Sequence, residues 1–114
     1  MVVKREEVWI VQLDYGYKKA GQRKLPCVVI SPDEANKYLD TVIVAPLTST
    51  IRGYPSRVNC SFKGRRGQVV IDQIRSIEKQ RLTRKLGVLD SKTVIEGFTI
   101  LHEYFDLSIQ NKPI

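Results

Sequence analysis

Arg57-Val58-Asn59-Cys60-Ser61-Phe62, followed by Lys63-Gly64-Arg65-Arg66-Gly67 and then Val69-Val70-Ile71, decides the fold class. Val58, Cys60 and Phe62 fall on one face and Arg57, Asn59 and Ser61 on the other, the period of a half-buried strand. The basic stretch after Phe62 reads as a turn. Val69 then opens another strand, continuing through Asp72-Gln73-Ile74. Upstream, Thr41-Val42-Ile43-Val44-Ala45 is a short β-branched run that should stop at Pro46, which has no N–H for a ladder. Cys27-Val28-Val29-Ile30 is another apolar run bounded by turn residues, and Val8-Trp9-Ile10-Val11 forms a first strand ended by Asp14-Tyr15-Gly16.

Helical signals are fewer. In Ser31-Pro32-Asp33-Glu34, Ser31 suits a cap, Pro32 the first helical position and Glu34 the returning arm of a capping box. A short helix should run from there to about residue 38. One helical turn is expected near residues 79–82. Val94, Phe98, Leu101 and Phe105 recur at helical spacing behind Asp90 or Ser91 as cap. Gly97 inside that helix costs ~1 kcal/mol against Ala, so a close approach is expected there. Five short strands, two tiny helices and a terminal amphipathic helix describe a mainly β single domain over residues 1–114, a compact antiparallel barrel with a helix packed on it.

Composition narrows the chemistry. With 114 residues, 42% apolar and 27% charged, the chain is sized and composed as one ordinary globular domain. Its net charge of +7 and pI near 9.6 favour a polyanionic partner. No apolar run nears the ~20 residues of a membrane span, and Met1-Val2-Val3-Lys4-Arg5 does not read as a signal peptide. A cytoplasmic location follows as an expectation. Cys27 and Cys60 lie in apolar stretches without metal-ligand spacing and are expected to be buried, reduced thiols. His102 is the sole histidine, which leaves catalysis to Arg, Lys, Asp, Glu, Tyr, Ser or Thr and implies no metal or other cofactor.

Two loops concentrate polar chemistry. Residues 17–26 have no strand or helix period and carry Lys18, Lys19, Arg23 and Lys24. Thr48-Ser49-Thr50 opens a second loop that passes through Arg52-Gly53-Tyr54-Pro55.

The order of five blocks resembles the MazF/PemK (Kid) toxins: Val8-Trp9-Ile10-Val11-Gln12-Leu13-Asp14; Pro26-Cys27-Val28-Val29-Ile30-Ser31-Pro32; Val42-Ile43-Val44-Ala45-Pro46-Leu47-Thr48-Ser49; Gly53-Tyr54-Pro55; and Asp72-Gln73-Ile74-Arg75-Ser76. The resemblance covers about residues 4 to 105. It implies an SH3-like barrel of the CcdB/Kid/MazF type, a homodimer, and an endoribonuclease toxin that cuts single-stranded RNA without metal. The products would be a 2′,3′-cyclic phosphate and a 5′-hydroxyl, and a MazE-like antitoxin with an acidic segment would neutralise the toxin.

Carried over residue by residue, Thr48 stands at the family's catalytic Thr, while Gln73 and Arg75 match a block that lines or braces the RNA groove. Leu25 stands where the family's catalytic Arg precedes the Pro of the second strand. Arg23 fills that role if the loop is two residues longer; otherwise Lys24 does, or the site is disabled. Lys18-Lys19 replaces a Glu-Gln pair often found in the family, which leaves Asp72 as the acidic candidate for a base or else a structural hydrogen-bond acceptor. Lys18, Lys19, Lys24, Ser49, Arg65, Arg66, Gln73 and Arg75 are the expected RNA contacts, with bases stacked on Tyr15, Tyr17 or Tyr54. Two other readings remain: an RNA-binding relative that has lost catalysis, and a CcdB-like toxin aimed at gyrase.

Overall fold

The computed structural model describes residues 1–13 and 23–109. Its strands are β1 (Glu7–Gln12), β2 (Lys24–Val29), β3 (Thr41–Thr48), β4 (Arg57–Phe62), β5 (Arg65–Val70), β6 (Arg75–Glu78) and β7 (Leu82–Val88). Two α-helices, α1 (Asp33–Tyr38) and α2 (Ser91–Phe105), complete it with single 3₁₀ turns at Ile71–Gln73, Lys79–Arg81 and Leu107–Ile109. All strand pairs are antiparallel, in the order β4-β5-β3-β2-β1-β7, with β6 on β3. The expected mainly β architecture with a terminal helix is present, but with seven strands among the described residues rather than five.

β3 explains one of the two additional strands; the other, β7, pairs with β1 over a stretch where no strand was expected. The first half of β3 pairs with β6 (Thr41↔Glu78 to Val44↔Arg75) and its end with β5 (Leu47↔Val69, Thr48↔Gln68). The stretch expected to be one strand through Ile74 therefore breaks after Val70. The 3₁₀ turn, in which Ile74 N–H reaches the Ile71 carbonyl at 3.4 Å, carries the chain from one half of β3 to the other.

Nor does Pro46 end β3. Ile43 gives its carbonyl to Ile30 N–H on the β2 side at 2.9 Å, so strand alternation turns Pro46 the other way. On that side β6 pairing has stopped at Val44 and β5 pairing begins only at Leu47. The missing N–H falls in the gap between two partners and leaves no ladder bond unmade.

Both faces of the central strands are buried, which accounts for their near-continuous apolar runs. One face gathers Val11, Leu13, Cys27, Val29, Val42, Val44, Ile77 and Leu82, with Trp9 and Leu25 at its margin. The other gathers Val8, Val28, Ile30, Ala45, Val58, Val69, Ile71 and Leu89, and α2 covers it with Val94, Phe98 and Leu101. Full burial of one such side chain contributes roughly 1.5–3 kcal/mol, more than a typical helix cap.

Gly97 serves the close approach expected of it, since a Cβ there would lie 2.8 Å from Ile71 Cδ1. Phe105 departs from the expected stripe: at the last position of α2 it is 72% exposed. Asp90 caps α2, accepting from Thr93 N–H at 3.2 Å. Ser31 does not cap α1. Its hydroxyl donates to Asn36 Oδ1 and accepts from Ile43 N–H at 3.0 Å, so it ties the helix to β3 instead.

Lys63-Gly64 forms a two-residue hairpin turn with φ of 51° and 79°, the left-handed pair that matches the twist of a tight hairpin. Arg65 and Arg66 consequently belong to β5 and not to the turn, paired with Phe62 and Ser61.

Candidate functional site

The end of β3 and the start of β2 meet at one rim of the sheet. Their register runs Cys27↔Pro46, Val28↔Ala45, Val29↔Val44. Carried two steps further, it sets Leu25 level with Thr48, and both border a groove of about 520 Å³. Apolar side chains of Pro26, Leu47, Phe62 and Leu86 floor this groove, and Ser49, Lys63, Arg65 and Arg66 edge it.

Leu25 also borders a second, narrower cleft of about 230 Å³, formed with Arg23, Cys27, Pro46, Gln73 and Arg75. Arg23 and Leu25 sit on the same side of the chain by strand alternation, one step of roughly 6–7 Å apart. Arg75 is level with Val44 in the β3–β6 pairing and shares that face. The two clefts thus adjoin at Leu25. Five cations line them (Arg23, Lys63, Arg65, Arg66 and Arg75), with no carboxylate among their described lining residues.

The structure therefore groups the expected residues in two sets, Thr48, Ser49, Arg65 and Arg66 around the groove, and Arg23, Gln73 and Arg75 around the cleft. Lys24 lines neither; it is exposed and pairs with Gln12 of β1. Lys18, Lys19, Tyr15 and Tyr17 lie outside the described residues. Tyr54 is 55% exposed and carries the Arg57 guanidinium 5.3 Å from its ring centre. Asp72 is exposed in the 3₁₀ turn. Glu78, on the same strand as Arg75, pairs with Arg81 at 3.7 Å.

Thr48 is half-buried, and its Oγ1 accepts a hydrogen bond from Thr50 N–H at 3.1 Å. Among the described residues nothing accepts its proton, which leaves it available to donate. Close packing behind it depends on Gly67, where a Cβ would lie 2.8 Å from the Thr48 carbonyl oxygen.

Cys27 borders the cleft but offers no thiolate. Burial pushes its pKa up to about 12, against the opposing pull of the Arg75 charge. Cys60 is half-buried and also raised, by burial first and by Asp90 second.

Sequence reading missed Gln68 and Arg57, which hold the loop after Thr48. Arg57 passed as part of a solvated face. The available signal was Gln68 itself, an amide directly before the apolar Val69-Val70-Ile71 run.

Comparison with known proteins bears on this rim. Residues 4–105 match the family model described as PemK-like, MazF-like toxin of type II toxin–antitoxin system. The chain belongs to this family. Among curated MazF-like relatives, endoribonuclease EndoA of Bacillus subtilis (strain 168) is 36% identical over 100 residues, covering 81% of this chain and 84% of EndoA. Endoribonuclease MazF of Staphylococcus epidermidis is 33% identical over 103 residues, covering 83% and 84%. A crystal structure of MazE–MazF from Deinococcus radiodurans superposes with a TM-score of 0.78 at 24% identity, covering 91% of this chain and 96% of that one. A mycobacterial endoribonuclease in complex with its cognate antitoxin gives 0.72 at 24%, covering 98% of each. These structures share the fold of this MazF-like chain, including the curled sheet that brings β2, β3 and β5 to one rim.

Proposed function

We propose that the protein is an endoribonuclease toxin that cleaves single-stranded RNA at the rim between β2, β3 and β5. One observation supports this above the rest: Thr48, whose hydroxyl donates to no partner among the described residues, borders the wider of two adjoining clefts that carry five cations and no carboxylate among their described residues. An anionic backbone is the natural occupant. Family membership and the activity named for EndoA point the same way.

In the reaction, the 2′-hydroxyl attacks the adjacent phosphorus and the bond to the 5′-oxygen breaks. The products are a 2′,3′-cyclic phosphate and a 5′-hydroxyl, with no metal needed. Thr48 donates to a phosphate oxygen, and a guanidinium from Arg23 offsets charge on the phosphorane from one strand step beyond Leu25. Arg75, Gln73, Arg65, Arg66 and Ser49 hold flanking phosphates and bases. Lys18 and Lys19, in the sequence before β2, add to the positive charge offered to the strand.

A homodimer, a cytoplasmic setting and an antitoxin whose acidic segment competes for the basic rim complete the reading. Charge complementarity supports the antitoxin, as do the MazE complexes of structural relatives. Sedimentation that finds only monomer at micromolar concentration would remove the dimer.

Leu25 supports a second reading. It holds an aliphatic side chain where the family resemblance implies a catalytic Arg, as expected of an RNA-binding relative with weakened catalysis. Mapping the ends of a long RNA incubated with the protein in chelator separates the two. Discrete cuts ending in cyclic phosphate establish the nuclease; salt-sensitive binding without cuts establishes the weakened relative. A gyrase-directed activity has no support in the named relatives.

A further inference from the structure

Gln68 is 3% exposed, yet every hydrogen-bonding site of its amide is used. Nε2 donates to the Arg52 carbonyl at 3.0 Å and to Asn59 Oδ1 at 2.8 Å. Oε1 accepts from Arg52 N–H at 3.0 Å and from Arg57 Nη1 at 2.9 Å. The side chain thus pairs with both backbone groups of Arg52, as a neighbouring strand would. Arg57 Nη1 also donates to the Thr50 carbonyl at 3.1 Å. Thr50 in turn supplies the N–H that holds Thr48 Oγ1. Gln68 also stands directly opposite Thr48 in the β3–β5 pairing.

We propose that Gln68, acting through Arg57 and Thr50, is a positioning residue that sets the Thr48 hydroxyl for RNA cleavage. The inference rests on the ribonuclease reading for its catalytic consequence, but not for the clamp itself. Residues 49–56 link β3 to β4 outside regular structure. A loop of that length adopts one path only where something fixes its middle, and Gln68 fixes Arg52 from both sides. Neutral Gln suits this better than Glu, because two of its four bonds require N–H donors. With the clamp released, Thr50 N–H drifts from Oγ1 and the hydroxyl samples orientations that miss the phosphate.

The test combines kinetics with amide exchange. Gln68→Leu removes the clamp at similar volume. Arg57→Lys keeps the charge but loses the guanidinium bridge, and serves if the first variant does not fold. For either variant kcat should fall tenfold or more with KM changed less than twofold. In a Thr48→Ala background the same change should cost nothing further, because the hydroxyl it orients is gone. A simple loss of stability would add to the Thr48→Ala effect, so additivity overturns the proposal, as does an unchanged kcat.

Hydrogen exchange reads the clamp without any activity. The Arg52 amide should exchange at least tenfold more slowly than in an unstructured peptide, and Gln68→Leu should abolish that protection while the Val58 amide stays slow. If the wild-type chain cuts no RNA, the ribonuclease reading fails and takes the catalytic role with it; slow Arg52 exchange would still sustain the clamp. Fast Arg52 exchange in the wild-type protein overturns the proposal whether or not RNA is cut.

Discussion

Thr48 and Leu25 border the same groove, and the chemistry of the rim turns on that pair. The Thr48 hydroxyl contributes little to the core, so Thr48→Ala should leave thermal unfolding nearly unchanged. RNA cleavage should fall about a hundredfold, the usual cost of one lost transition-state donor. Rates and melting curves on the same preparation check both halves. Position 25 makes a sharper comparison. If Arg23 supplies the guanidinium, Arg23→Ala should lower cleavage at least as far as Thr48→Ala, because charge is lost along with hydrogen bonds. If residue 25 is the better place, Leu25→Arg should raise the rate tenfold or more while Arg23→Ala leaves it alone. Single-turnover cleavage of one oligonucleotide by the three variants decides between them. A nuclease indifferent to all three would refute the site.

Among the elements, α2 carries a capping contribution that is separable by pH. Asp90 accepts from the Thr93 amide at 3.2 Å and from its hydroxyl at 2.7 Å. Those bonds hold its carboxyl below the ordinary 3.8, the Thr93 hydroxyl foremost. Asp90→Ala should therefore lower stability by about 1 kcal/mol at neutral pH. A depressed folded-state pKa stabilises above the unfolded value and stops doing so as pH falls through the folded one. The gap between wild type and variant in denaturant melts should accordingly be full at pH 7, shrink below pH 3.8 and close once the carboxyl protonates in the fold. A gap constant down to pH 2 would mean that the cap is not electrostatic.

β1 contains a second carboxylate of the same sign. Burial acts to raise Glu7, but hydrogen bonds from Lys4 N–H, Lys85 and Trp9 outweigh it and leave the group below its usual value. Its stabilisation is likewise lost toward acid, where the β1–β7 edge should loosen with it.

At the scale of the whole molecule the +7 charge governs encounter with RNA. Each phosphate neutralised releases counterions, so the affinity for single-stranded RNA should fall with a log–log salt slope of about −0.7 per contact. If the five cations at the two clefts all engage, the slope should approach about −3.5, and each Arg→Ala change there should reduce it by one contact. Titrations of a short, uncleavable 2′-deoxy oligonucleotide at several salt concentrations measure it. A flat response would show that the basic rim is not where the strand lies.

Local pattern determined a good deal of this. Val58, Cys60 and Phe62 declared a strand by their period, Asp90 and the Val94-Phe98-Leu101 spacing declared the helix, and five blocks in order declared the family. These signals are short-range: side chains two, three or four residues apart report which face of an element is buried. What they cannot carry is pairing between distant segments. The division of β3 between β5 and β6, which lets Pro46 lie inside a strand, depends on residues some thirty positions away. So does the placing of Leu25 level with Thr48, with Arg23 one step further out beside Arg75. Gln68 is the clearest instance. In sequence it is one polar residue before an apolar run; its role exists only because folding brings Arg52, Arg57 and Asn59 around a single buried amide, where no water remains to satisfy it and those partners must.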